Sequence, residues 1–327
     1  MRKFDLRYED DIEYTINYKQ ENKIIATGSI SGPVIKCTAV NPDYQNQGLL
    51  NKLITDLIKY EYDLGNHHLF VFTKPIYRKK FKEQGFKEIE TIKDKISMLE
   101  FGLEDINDYK NYLQQNLDEK QINKNKVTAL VLNCNPFTKG HQYLLQKAAA
   151  ESDFVVVFVV KEDKSLFPAE IRYQLVKESA AAISNVEVLS GGNYIISSAT
   201  FPSYFTQQEE VASVHAELDL NIFAKHIAPA AGINWRYVGE EPYCKVTNLY
   251  NQKMKKILRK AGIQVKEIKR KKMDGKVISA SHVRKLIKNN KLKEAEKYLP
   301  SVTNEFLKTD KGQEIIEKIR KNNESRH

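Results

Sequence analysis

The chain has 327 residues, of which 41% are hydrophobic and 29% charged, with a formal net charge of +10. That length suits two domains of ordinary size, each able to bury a core, and that balance excludes a disordered chain. The longest apolar runs, such as Phe154 to Val160, are too short to cross a bilayer, and the opening MRKFDLRYEDD turns acidic where a secretory leader needs an apolar stretch, so a cytoplasmic protein without membrane association is expected.

The first hundred residues alternate short strand-like runs with turn signals. KIIATGSI, VIKCTAV, HLFVFTK and SMLEF carry the apolar and β-branched content of strands. Between them, Leu50, Leu53, Ile54, Leu57 and Ile58 fall at the spacing of a helix with one buried face. A mixed sheet with a helix packed on it is the expectation. Glu61 and Tyr62, on that helix, are read as a solvated face, and no acid or base for acyl transfer stands out in this half. The polar stretch from Phe101 to Lys126 reads as a helix and linker at a domain junction.

From Val127 the pattern becomes strand and helix in regular alternation: VTALVLN, HQYLLQKAAAES, DFVVVFVV, PAEIRYQLVKESAAAI, VEVLSG. Continuous apolar strands imply a parallel sheet covered on both faces. NWRYVGEE and IQVKEIKR add strands, SHVRKLIKN opens another helix, and the chain from Leu292 is helical and charged. The expected domains are 1–120, 126–300 and a helical tail over 301–327.

Three scattered cysteines, Cys37, Cys134 and Cys244, form no CxxC pair and lack the histidine spacing of a zinc site. They read as reduced thiols with no structural metal, Cys134 as a small buried residue. The basic run Lys253 to Lys276 has three readings: a nucleic-acid face, a rim for an anionic ligand or acidic partner, or lysines that are simply solvated. No aromatic residues interleave it, which argues against single-strand binding.

Two segments carry candidate chemistry. NPFTKGH lies between an apolar strand and an amphipathic helix, the place where open α/β sheets bind ligands. Gly140 has no Cβ and lets a phosphate approach the backbone. His141 falls in the first helical turn, where its ring and the free N–H groups can donate to phosphate oxygens. Further on, in VISASHVRKLI, Ser279 and Ser281 are natural N-caps and Arg284, one turn later, can fork onto phosphate. Arg172, in FPAEIRYQLV, is read equally as a phosphate contact or a solvated arginine.

These residues resemble the T/HxGH and ISxxxxR motifs of the nucleotidyltransferase superfamily. Thr138 and His141 match the first motif; Ser279, Ser281 and Arg284 match the second. The resemblance implies a Rossmann-like fold that binds ATP, usually with Mg²⁺, and promotes attack on its α-phosphate with pyrophosphate leaving. His141 and Arg284 would then stabilise the phosphate charge, with Lys139 a weaker candidate. Asn135, Pro136, Phe137, Thr138, Gly140, Ser279 and Ser281 would hold the nucleotide.

In the first half, CTAVNPDYQNQGLLNKLI resembles the GNAT acyltransferase loop Q/RxxGxG/A. Gln45 and Gly48 match, Leu50 stands where glycine or alanine is expected, and FKEQGFKEIE resembles that fold's closing helix and strand. The implied ligand is a coenzyme A-type pyrophosphate on backbone N–H groups at a helix N-terminus. Leu50 is expected to crowd that turn.

A GNAT-like half followed by a TKGH half is similar to the citrate lyase ligase family, with YVGEEPYCKVTNLYN and GNYIISSATFPSYF as further points of likeness. The family implies activation of acetate as acetyl-AMP and acetylation of the thiol on the dephospho-coenzyme A-derived prosthetic group of the citrate lyase acyl carrier subunit, with no nucleic acid involved. Ser203 or Tyr204 would orient acetate, and the basic run would meet an acidic carrier. A coenzyme-making adenylyltransferase, or a GNAT acetyltransferase with a nucleotide-binding half, remain the alternatives.

Overall fold

The computed structural model describes residues 9–121, 123–161, 165–196, 201, 208–241, 245–273 and 275–321. Two compact units emerge, one of Met1–Tyr112 with Phe201–Ile222, the other of Leu113–Thr200 with Phe223–His327. Residues 201–222 thus join the first unit from within the second half of the chain, where the sequence suggests contiguous segments.

The first unit runs β1 (Tyr14–Gln20), β2 (Lys23–Ser31), β3 (Val34–Val40), α1 (Leu49–Asp63), β4 (His68–Thr73), α2 (Arg78–Lys82), β5 (Lys87–Ile92) and β6 (Ile96–Gly102), and the unit boundary after Tyr112 falls within α3 (Ile106–Leu117). The sheet order is β1-β2-β3-β4-β6-β5, antiparallel except for β3 beside β4. The apolar stripe of α1, led by Leu53, Ile54 and Leu57, is fully buried against this sheet, as its 3.6-residue spacing requires. β3 and β4 pair only at Val34 with Phe70 and Ile35 with Val71. Beyond that point the β2–β3 register shifts and Cys37 takes a left-handed φ of 53°. Such a bulge bends a strand out of plane. Thr38 to Val40 and Phe72 to Lys74 therefore flank an open gap.

The second unit continues with β7 (Val127–Leu132), α4 (Lys139–Ala150), β8 (Phe154–Val159), α5 (Ala169–Ala180) and β9 (Val186–Ser190). α6 (Gln208–Ile222) belongs to the first unit; α7 (Ala228–Ala230), β10 (Trp235–Gly239), α8 (Lys245–Lys260), β11 (Gln264–Ile268), the small ribbon β12 (Lys272–Met273) and β13 (Lys276–Val277), α9 (Ala280–Lys288), α10 (Leu292–Glu296), α11 (Ser301–Lys308) and α12 (Asp310–Lys321) complete the chain. Five parallel strands stand in the order β11-β10-β7-β8-β9. The fold is α/β, as expected: a mixed-sheet unit and a doubly wound parallel sheet. Chain order reverses at β7 and β10, which pair only through Thr128 with Trp235 and Ala129 with Arg236. A crevice at such a reversal is where this architecture takes ligands.

The terminal helices are more than a charged tail. Leu307, Ile315, Ile316 and Ile319 are buried in the second unit's main core, which also holds Leu145, Val157 and Val283. Among the described residues, no helix is long and apolar enough to cross a membrane.

Candidate active site

Thr138 caps α4 and is buried, at 1% exposure. Its hydroxyl accepts the His141 N–H at 3.5 Å, while its own N–H donates to His141 Nδ1 at 3.1 Å. This is a capping box with histidine in the role usually taken by glutamate. An Nδ1 that accepts a backbone N–H must carry a lone pair, so the ring is neutral with its proton on Nε2. Burial, and secondarily the positive charge of Arg270, lower the His141 pKa to about 4. The buried Phe137 ring stacks on it, with centroids 5.8 Å apart. The result is an imidazole held as an N–H donor at neutral pH.

The remaining donors of the turn are partly used within the fold. The Lys139 N–H donates to the Tyr298 carbonyl at 2.9 Å, and Lys139 Nζ to the Lys297 carbonyl at 2.7 Å. Lys139 is therefore engaged with the loop after α10 rather than presented to a ligand. Among the described residues, the Gly140 N–H is left as the unbonded amide of the first turn. Phe137 is tied from the other side, its carbonyl accepting from the buried Thr303 hydroxyl at 3.0 Å. The α10–α11 region thus shapes the loop.

The second motif meets the first directly. A Cβ on Gly140 would stand 3.1 Å from the Ile278 carbonyl, so glycine allows the start of α4 to lie against the residue before the α9 cap. Ser279 is that cap, its hydroxyl accepting from the His282 N–H at 3.2 Å. Ser281 is exposed and lies 3.2 Å from the Ser279 hydroxyl, so one serine caps and its neighbour supports it. Arg284 Nη1 donates to the Asn135 carbonyl, bridging α9 and the β7–α4 loop. Asn135 in turn accepts from the Phe167 N–H at 3.1 Å and precedes Pro136 through a cis bond. Thr138, Gly140, His141, Ser279 and Arg284 are thereby gathered at the carboxyl end of β7.

Arg172 differs from its sequence reading and Arg270 was missed by it. Arg172 is neither a phosphate contact nor solvated. It is fully buried, donating from Nε to the Phe167 carbonyl at 2.8 Å and from Nη1 to the Asn133 carbonyl at 2.8 Å, Asn133 Oδ1 at 2.7 Å and the Val160 carbonyl at 2.7 Å. It clips the ends of β7 and β8 to the loop entering α5. Arg270, hidden in the basic run, follows β11 at the carboxyl end of the sheet and bridges the Glu240 carbonyl, at 2.7 Å, and the Glu241 carboxylate. Its place just past a strand at the carboxyl end of the sheet was the signal available for it. Elsewhere in that run Lys255 pairs with Glu267 and Lys266 with Glu151, at 2.6 and 2.7 Å.

In the first unit, Gly48 opens α1 with φ 74° and ψ 0°, and Asn46 also has a positive φ, 63°. Alternating left-handed residues turn successive N–H groups into one concavity, a form suited to phosphate oxygens. Gln45 Nε2 reaches back to the Val40 carbonyl at 3.4 Å, bracing the loop. Leu50 packs partly buried against the core and lines the cavity. The gap between β3 and β4 widens there into a cavity of about 440 Å³, lined by Thr38, Val40, Gly48, Phe72, Lys74 and Tyr77 among others. Glu61 is buried rather than solvated, at 2% exposure. Desolvation raises its carboxyl pKa against the opposing hydrogen bond from Asn66 Nδ2 at 2.7 Å.

Cys37 and Cys134 are buried free thiols, and burial pushes the Cys37 thiol up to about 12, far from a reactive thiolate. Ser203, Tyr204 and Cys244 lie outside the described residues, as do parts of the stretches 192–205 and 237–251. Tyr237 in the latter is a core residue whose hydroxyl accepts from Lys126 at 2.8 Å and donates to Glu151 at 2.9 Å.

Among solved structures, a GNAT family acetyltransferase from Elizabethkingia anophelis with acetyl-CoA bound is 19% identical over 28% of this chain and 77% of its own, with a TM-score of 0.25. The citrate lyase ligase C-terminal domain model matches residues 127–307. The [citrate [pro-3S]-lyase] ligase of Escherichia coli (strain K12) is 38% identical over 309 residues, covering 93% of this chain and 87% of that protein. That of Klebsiella pneumoniae is 36% identical, covering 94% and 90%, and that of Haemophilus influenzae 35%, covering 92% and 91%. With this near full-length likeness, the chain belongs to the citrate lyase ligase family.

Proposed function

We propose that this protein is a cytoplasmic ATP-dependent ligase that activates acetate as acetyl-AMP and acetylates the thiol of the citrate lyase acyl carrier. The observation that carries this reading is the junction of the two motifs, with Arg284 on the Asn135 carbonyl and Gly140 against Ile278 beside a neutral His141. An acetate oxygen attacks the α-phosphorus of ATP, the bond to the β-phosphate oxygen breaks, and pyrophosphate leaves. The carrier thiol, losing its proton, then attacks the acetyl carbonyl and AMP departs with the carbon–oxygen bonding pair.

The protein's part is positioning and charge stabilisation. His141 Nε2–H and the Gly140 N–H donate to phosphate oxygens. Arg284, and Arg270 with it, offset the negative charge that accumulates on the leaving pyrophosphate. Mg²⁺ brought with ATP would neutralise further phosphate charge, beside that offset by Arg284 and Arg270. The gathered residues, Thr138, Gly140, His141, Ser279 and Arg284, are hydroxyls, N–H donors and a cation, which suits a metal carried on the substrate.

We assign the prosthetic-group arm to the first unit, where the Gly48 turn takes its phosphates and the cavity its pantetheine. Replacing Gly48 by valine should slow thiol acetylation by about tenfold while leaving adenylate formation unchanged. No atom lies within 4 Å of a Cβ there, so the cost is that of a left-handed backbone, about 1–2 kcal/mol. Loss of both steps would refute the division of labour.

The test of the reaction is isotope exchange between pyrophosphate and ATP, with and without acetate and with no thiol present. Acetate-dependent exchange supports carboxylate adenylation. Exchange supported instead by a phosphorylated coenzyme precursor would make the protein an adenylyltransferase.

A further inference from the structure

The mouth of the first unit's cavity carries a segment of which Lys74, Tyr77, Lys80 and Phe81 line the cavity, while its other exposed side chains have no task in either half-reaction. Residues 74–82 read KPIYRKKFK and lead from the end of β4 through α2. Their apolar members divide sharply: Phe81 is buried at 3% exposure, whereas Ile76 is 78% and Tyr77 46% exposed. A single exposed isoleucine needs no explanation. Here it stands among five basic side chains within nine residues.

The fold only partly offsets that charge. Arg78 and Lys82 share Glu88, at 3.7 and 2.9 Å, and Lys79 reaches Glu83 at 4.0 Å, so five cations meet two carboxylates. Lys80 lies 5.9 Å from the Tyr77 ring centroid, and both side chains line the cavity. An exposed apolar and aromatic pair within a charged surround, continuous with a binding cavity, has the make-up of a protein-docking surface. Its sign selects an acidic partner, and long-range attraction would raise the encounter rate.

We propose that residues 74–82 form the docking surface for an acidic carrier protein whose thiol-bearing arm enters the adjoining cavity. The inference rests on the assignment of that arm to the first unit. Ile76 provides the apolar contact and the cations of α2 select the carrier's acidic face, so that the arm is delivered where the cavity opens.

The test uses the full-length protein and the double variant Ile76→Asp with Lys79→Glu. Both residues are exposed and neither lines the cavity, so the fold is preserved. Three rates are compared: acetate-dependent pyrophosphate exchange, acetylation of free pantetheine, and acetylation of the purified carrier subunit. The expected result is a fall of about tenfold or more in kcat/KM for the carrier, carried by KM, with a shallower dependence on salt and the other two rates unchanged. The conservative variant Lys79→Arg should retain the wild-type KM. An unchanged carrier KM, or an equal fall with free pantetheine, overturns the docking surface alone. Absence of exchange in the wild-type protein would instead remove the adenylation reading, and this inference with it.

Discussion

Replacing His141 by alanine is expected to lower acetate-dependent pyrophosphate exchange by about 10²–10³-fold, the scale on which one donor to a developing oxyanion acts. The loss should fall on kcat more than on the KM for ATP, because a donor aimed at charge that develops in the transition state contributes little to ground-state binding. A near-normal exchange rate would remove His141 from the chemistry. The residue also sets an acid limit on stability. A histidine of the unfolded chain titrates near 6.5, whereas His141 in the fold titrates at about 4. Between those values the unfolded chain binds more protons than the folded one, so stability is unaffected above pH 6.5 and declines as pH falls from there towards 4. The melting temperature of the wild-type protein should therefore drop more steeply across that window than that of His141→Asn, whose side chain does not ionise. Parallel slopes would contradict the half-buried, desolvated neutral imidazole.

The second large effect is expected at Arg172. Changing it to leucine should destabilise the second unit by about 3 kcal/mol or more, because hydrogen bonds from a charged donor are each worth about 1.5–3 kcal/mol and their buried acceptors would be left unmet. For a unit of this size that is a fall of roughly 6–12 °C in melting temperature. Exchange activity should fall as well, since Asn133 and Phe167 lie at the two ends of the loop system that holds Asn135. Arg172→Lys keeps the charge but not the fork, so it should recover only part of the loss. A variant as stable as the wild type would mean that these carbonyls find other partners.

Much of the fold was legible in the chain. The β-strand and helix alternation after Val127, the α1 stripe at Leu53, Ile54 and Leu57, and the cap at Ser279 all follow from periodicity and turn chemistry. Such features are properties of a few neighbouring residues. The candidate site was partly legible for the same reason. A glycine and a histidine at a helix start, and an arginine one turn into another helix, can be recognised locally before it is known that the helices meet.

The amino-acid sequence by itself determined the α/β class, the strand and helix alternation from β7 to β9, and the two helix starts proposed as the site. The tertiary structure alone decided how the side chains are engaged. It turned Lys139 to a carbonyl 158 residues away, made Arg172 a buried clip, buried Glu61, brought Arg270 to bear on His141, and packed the terminal helices into the core. The reason is physical: burial and the direction of free carbonyls depend on which strands lie adjacent in space. An arginine reads identically in sequence whether its neighbours are water, phosphate or three backbone oxygens.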